Sequence, residues 1–289
     1  MCDELTAADN ERHLADGLTR RTFGTAAAAA SIGLLLPAPA RAQAIKGRDV
    51  TIKTPDGVAD AYFVAPATGK HPGVLVWPDI MGLRPAFRQM ADRLAQSGYA
   101  VLTVNQFYRS VKAPFLQPGE SFDQPEVRAK IEPWRKALNP AGTTRDGKAF
   151  VAFLDAQKEV DTKRGIGTTG YCMGGPMTMR TAAVAPDRVR AGASFHGGGL
   201  ATDAPDSPHL LVPQMKAQYL FAIAANDDAR SPADKDKLRA AFAAAKLPAE
   251  IEVYEGALHG WCPPDGRAYN QPQAERAWAR LLHLFETAL

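Results

Sequence analysis

The sequence predicts an α/β fold, a mostly parallel, doubly wound sheet entered through an antiparallel N-terminal hairpin. Three observations carry that expectation. Short apolar runs alternate with longer stretches of helical period, the pattern of strands joined by crossover helices. Polar residues follow the runs at Asp79, Asn105, Cys172, His196, Asp227 and His259, and the carboxyl ends of parallel strands are where such sheets bind ligands. One run, residues 165–170, passes through the Gly-bracketed Cys172 into a helical stretch at 176–185.

Taken in order, residues 49–54 and 59–65 read as strands around the turn Pro55-Asp56-Gly57, which gives the hairpin. Residues 73–77 form a short apolar run suited to a buried central strand, ending at Pro78-Asp79-Ile80-Met81-Gly82. Residues 85–97 are helical, with Phe87, Met90 and Leu94 on one face, and Gly98 stops them. A strand follows at 100–104. Residues 105–145 contain Pro114, Pro118, Pro125 and Pro133 and read as a looser surface excursion over a pocket. A helix at 147–160 precedes the Cys172 strand and its helix. Strands at 189–195, 218–224 and 250–254, with helices at 232–245 and 274–289, complete the chain. There are no repeats and no interdomain linker.

The first 42 residues read as a segment apart from the fold. Arg20-Arg21-Thr22-Phe23 is a twin-arginine pair, residues 23–36 are weakly apolar and alanine-rich, and Ala40-Arg41-Ala42 or Ala42-Gln43-Ala44 offers a small-x-small cleavage site. In that order these make a Tat-type export signal, with the Tat machinery as partner and the periplasm or beyond as destination. Residues 43–289 are then a single domain. An apolar fraction of 46%, a charged fraction of 22% and a net charge of +3 belong to an ordinary globular protein. No dense basic run supports nucleic-acid binding. With Cys2 in the leader, Cys172 and Cys262 remain, and a disulfide framework is not expected because a bridge would sequester the Gly-bracketed Cys172 thiol. No metal-binding spacing is present, and no cofactor is expected.

Gly170, Cys172 and Gly174 give G-x-C-x-G, a nucleophile elbow with cysteine in place of serine. Side chains two residues to either side of such a turn would collide, hence the glycines. The Met173 backbone N–H and the positive end of the next helix lie where an oxyanion would form, and the Ile80 N–H, in the loop after an earlier strand, is the candidate second donor. Helix and histidine together should lower the thiol pKa. A thiol needs a base and the base an orienting acid. Asp227 or Asp228 follows one strand and His259 the next, in the order nucleophile, acid, histidine; loop length favours Asp227. His196 is a rival base, but precedes the acid and is assigned to the pocket. His71, His209 and His283 read as surface or packing residues.

From about residue 49 onward the chain resembles the dienelactone hydrolase family of α/β-hydrolases, through PDIMGL at 78–83, SGYAVLTVNQFYR at 97–109, GYCMGG at 170–175, AANDD at 224–228 and YEGALHGW at 254–261. The resemblance implies ester or lactone hydrolysis through a thioester acyl-enzyme, with Cys172, Asp227 and His259 as triad. It implies a pocket role for Asp79, where founding members carry a glutamate that contacts the resting thiol. It implies that Arg109 is one of two arginines holding a substrate carboxylate. The other falls at Pro263, with Arg267 further along as a substitute. His196 stands where a pocket tyrosine is expected, and Trp261 belongs to the late motif. Two other readings remain: a binding or redox-sensing protein that pairs Cys172 with Cys262, and a peptidase or thioesterase on the same machinery.

Overall fold

A computed structural model of the chain describes Thr6, residues 8–14 and residues 43–289. The twin-arginine pair, the alanine-rich stretch and Cys2 lie outside the described residues, as does the cleavage position at Ala42. Residues 8–14 are helical (α1).

The sheet has eight strands in the order β1-β2-β4-β3-β5-β6-β7-β8. They are β1 (Ile45–Thr54), β2 (Gly57–Pro66), β3 (Gly73–Trp77), β4 (Ala100–Val104), β5 (Ile166–Tyr171), β6 (Val189–Phe195), β7 (Gln218–Ala224) and β8 (Ala249–Tyr254). β1, β2 and β4 pair antiparallel, and the pairs from β4 through β3, β5, β6 and β7 to β8 are parallel. The order reverses at β3–β5, so the end of β5 opens onto the crevice where doubly wound sheets bind ligands. The expected architecture is therefore present. β1 begins four residues earlier than the sequence suggested. It is an edge strand with mostly exposed side chains, so its residues carry no apolar pattern.

Helices cover both faces: α2 (Pro85–Gln96), α3 (Pro125–Ala137), α4 (Pro140–Asp155), α5 (Gly174–Val184), α6 (Ala225–Arg230), α7 (Asp234–Ala245) and α8 (Gln271–Ala288), with a 3-10 turn at Pro208–Gln214. Alternate strand residues face opposite layers. Val74 and Val76 join Phe87, Leu94 and Trp278 of α2 and α8, whereas Leu75 and Trp77 join Phe150, Met179 and Phe242 of α4, α5 and α7.

Residues 105–145 are less irregular than expected. α3 and the first turn of α4 lie there, because Pro125 and Pro140 occupy helix starts, where a missing N–H costs nothing. Asn139 caps α4 through its side-chain oxygen, 2.8 Å from the Gly142 nitrogen. With Ile80 and Cys172, this segment forms a third apolar cluster, of Phe107, Phe115, Val127 and Ile131.

Candidate active site

The turn after β5 forces Cys172 to φ 54°, in the left-handed region. Only glycine fits beside it. A Cβ on Gly170 would sit 2.2 Å from the Gly174 carbonyl oxygen, and one on Gly174 would sit 2.3 Å from that of Trp77. The Cys172 N–H donates to the Phe195 carbonyl at 3.0 Å, tying the elbow to β6. The Cys172 sulfur is disulfide-bonded and Cys262 is free. The bridge departs from the thiol expected at this position, and the pairing of Cys172 with Cys262 is absent.

Asp227 and His259 meet across α6 and the loop after β8, with Asp227 Oδ2 2.6 Å from His259 Nδ1. Asp228 turns away and receives Lys235 Nζ on both oxygens, at 2.6 and 2.7 Å. The neighbouring Asn226 is buried and accepts the His259 backbone N–H at 2.9 Å. The sequence reading passed over it; its place inside AANDD was the available signal.

His196 ends β6 in the left-handed region, at φ 42°. Its ring stands edge-on to His259 with centroids 5.0 Å apart, and Trp261 packs 5.2 Å away. Among the described residues neither ring nitrogen has a hydrogen-bond partner. Burial, and to a smaller extent the charge of His259, pushes its pKa well below the usual value, so the ring is neutral. Trp261 is fully buried, stacked on Tyr254 behind the two histidines, and lines neither cavity beside Cys172. Its assignment to the pocket is corrected to packing support.

The loop after β3 is fixed from below. Asp79 receives Arg84 on both oxygens at 2.6 and 3.0 Å, accepts the Met81 N–H at 2.9 Å, and its carbonyl takes Gln106 Nε2 at 2.6 Å. Arg84 also reaches Asp265 at 2.7 and 2.9 Å. Asp79 does line the cavity, with its carboxylate committed to Arg84. The sequence reading did not single out Arg84, although it follows Asp79 by five residues. Among the described residues the backbone N–H groups of Ile80 and Met173 donate to no protein group.

Two cavities meet at Ile80. One, of about 100 Å³, is lined by Asp79, Arg84, Cys172, His196, His259 and Arg267, together with residues of the N-terminal segment. The other, of about 440 Å³, is lined by Ile80, Met173, Met177, Thr143 and the half-buried Arg180, whose guanidinium donates to the Asp206 carbonyl at 2.9 Å. Arg109 lines neither. Asp146 holds it at 2.7 and 2.9 Å and Asp56 at 2.6 Å, so its donors are spent inside a structural ion-pair network. The expected carboxylate-binding role of Arg109 is overturned by that pairing. Among the described residues no cluster of three His, Cys, Asp or Glu could hold a metal ion, and no helix is long and apolar enough to cross a membrane.

The chain is 27% identical over 225 residues to the carboxymethylenebutenolidase of Rhodococcus opacus, a match covering 77% of this chain and 83% of that protein. Its fold is similar to that of a dienelactone hydrolase-like promiscuous phosphotriesterase from metagenomic libraries, with TM-score 0.68 and 23% identity over 85% of this chain and 99% of the other. The dienelactone hydrolase from Anabaena variabilis aligns with TM-score 0.59 and 18% identity over the same 85% and 99% shares. The sequence profile of the dienelactone hydrolase family matches residues 59–289, nearly the whole sheet and the elbow included, and the chain belongs to that family.

Proposed function

We propose that this dienelactone hydrolase-like protein cleaves small esters or lactones with Cys172 as nucleophile, His259 as base and Asp227 as orienter. The observation that carries the reading is the 2.6 Å contact between Asp227 and His259 Nδ1, with His259 lining the same cavity as the elbow residue Cys172. The carboxylate fixes the ring so that Nε2 is the proton acceptor. Once the disulfide is opened, His259 takes the Cys172 proton and the thiolate attacks the ester carbonyl carbon. The carbonyl electrons move onto oxygen, where the unspent N–H groups of Ile80 and Met173 serve as donors, and such a donor is worth on the order of 3 kcal/mol. Collapse expels the alkoxide, which takes the proton from His259 and leaves a thioester. Water, deprotonated by His259, then releases the acid and restores the thiol. The two cavities that meet at Ile80 offer separate places for the acid and alcohol portions of the substrate.

Export through the Tat machinery to the periplasm is the accompanying proposal, resting on the order of the signal regions in the sequence. Replacing both Arg20 and Arg21 with lysine should leave the protein in the cytoplasmic fraction.

The test uses reduced enzyme and p-nitrophenyl esters. Cys172→Ala should lower kcat/KM by at least about 10³-fold with unchanged circular dichroism. Asp227→Asn should lose roughly 10³–10⁴-fold, and Asp228→Asn less than about tenfold. Full activity in Cys172→Ala would remove the assignment. The disulfide at Cys172 favours one second reading, a thiol redox protein on this scaffold. That reading gains if reduced protein freed of its N-terminal region hydrolyses none of a panel of esters and lactones.

A further inference from the structure

The N-terminal segment, expected to stand apart from the fold, is seated in the mouth of the candidate active site. Thr6, Asn10, Glu11 and Leu14 line the same cavity as Cys172, His196 and His259. The contacts are polar and specific. Asn10 Nδ2 donates to the His259 carbonyl at 2.8 Å. Asn226 Nδ2 donates to Asn10 Oδ1 at 2.7 Å and to Asp9 Oδ2 at 3.1 Å. Arg230 reaches Thr6 Oγ1 at 3.0 Å and Asp9 Oδ2 at 3.1 Å, and Arg267 reaches Glu11 at 3.4 Å. Thr6 is buried by this docking.

The partners on the domain side belong to the elements that carry the acid and the base. Asn226 and Arg230 flank Asp227 on α6, and Arg267 lies in the loop after His259. Asn226 is the hinge of the arrangement. Its oxygen accepts the His259 N–H while its nitrogen holds Asp9 and Asn10. With the segment in place the cavity keeps about 100 Å³, against roughly 300 Å³ at the small end of working ligand pockets. The sulfur that would attack is disulfide-bonded at the same time. Cys262 is free.

We propose that Thr6 and residues 8–14 are a built-in plug, an inhibitory segment that closes the hydrolase until the N-terminal region is removed. The proposal rests on the hydrolase reading for what is inhibited, but the docking stands without it. Plug and export signal are then one segment, so the cut that would release the exported domain would also uncover the site. Opening the disulfide at Cys172 takes a dithiol. Two thiols form in the protein while the dithiol closes to its own cyclic disulfide, which balances electrons and protons.

The test keeps the full chain and introduces a specific-protease site within residues 24–36. Uncut and cut protein, the latter separated from its released N-terminal peptide, are both reduced with dithiol, which is removed before either rate is measured. Two rates are read: iodoacetamide alkylation of Cys172 by mass spectrometry, and hydrolysis of p-nitrophenyl butyrate. Cutting should speed alkylation at least tenfold, and hydrolysis with it. In uncut protein Asp9→Ala with Asn10→Ala should raise alkylation severalfold, and the same pair should leave the cut enzyme unchanged. Fast alkylation without hydrolysis after cutting supports the plug and removes the hydrolase reading. Equal alkylation rates before and after cutting overturn the plug.

Discussion

Arg84 offers the sharpest test of how the Ile80 loop is held. Its guanidinium is buried, with side-chain exposure of 7%, and it faces an Asp79 carboxylate only 10% exposed. Its second partner, Asp265, is 42% exposed and so contributes little of its own. Burial alone would lower the Arg84 pKa; the charge of Asp79 and the hydrogen bond to Asp265 more than reverse this and raise it. Arg84→Met keeps most of the volume but strands a buried carboxylate, a change that costs about 3–5 kcal/mol. At about 2–4 °C per kcal/mol for a domain of this size, Tm should fall by roughly 6–20 °C. Asp79→Asn should be milder, since Arg84 keeps Asp265. In the double variant no buried charge is left unpaired, so it should be more stable than the sum of the single changes by at least about 1 kcal/mol. The assay is urea unfolding by circular dichroism, with esterase activity of the folded fraction read alongside. Additivity of the two changes within about 0.5 kcal/mol would refute the argument that the pair acts as a buried unit.

Two further outcomes follow from side chains the structure repositions. Arg109→Met should lower stability by about 3–5 kcal/mol, because Asp146 is buried and loses its cation. It should leave KM for esters with a free carboxylate within twofold of wild type, and a large rise in KM would return Arg109 to substrate binding. His196 has a folded-state pKa below its unfolded value, so the unfolded chain takes up the proton first as pH falls. Its contribution is full above about pH 6.5 and is lost as pH drops below that value. His196→Phe keeps the ring packing on His259 and Trp261, and should flatten the decline of Tm between pH 6.5 and 5. An unchanged slope would mean that another group governs it.

The strands at the centre of the sheet were legible because they are buried on both faces, so β3 and β4 read as continuous apolar runs. The elbow was legible because its geometry tolerates only glycine at two fixed offsets. α3 was missed because Pro125 and Pro133 suggest a broken chain; Pro125 is a helix start, while Pro133 is carried inside the helix. Arg109 was misplaced for a different reason. Its partners Asp56 and Asp146 lie 53 and 37 residues away in the chain, a pairing that no local pattern announces. The docking of Thr6 and residues 8–14 was likewise hidden, since it depends on Asn226 and Arg230 more than two hundred residues further on.

Cys262 sits three residues beyond His259, enclosed by the layer of Tyr171, Phe195 and Trp278. Burial raises its pKa well above the ordinary thiol value, and thiol reagents act on the thiolate. A pulse of reagent at neutral pH should therefore label Cys262 more slowly in folded molecules than in opened ones. In reduced protein the growth of label on Cys262 itself, read by peptide mass, then reports opening.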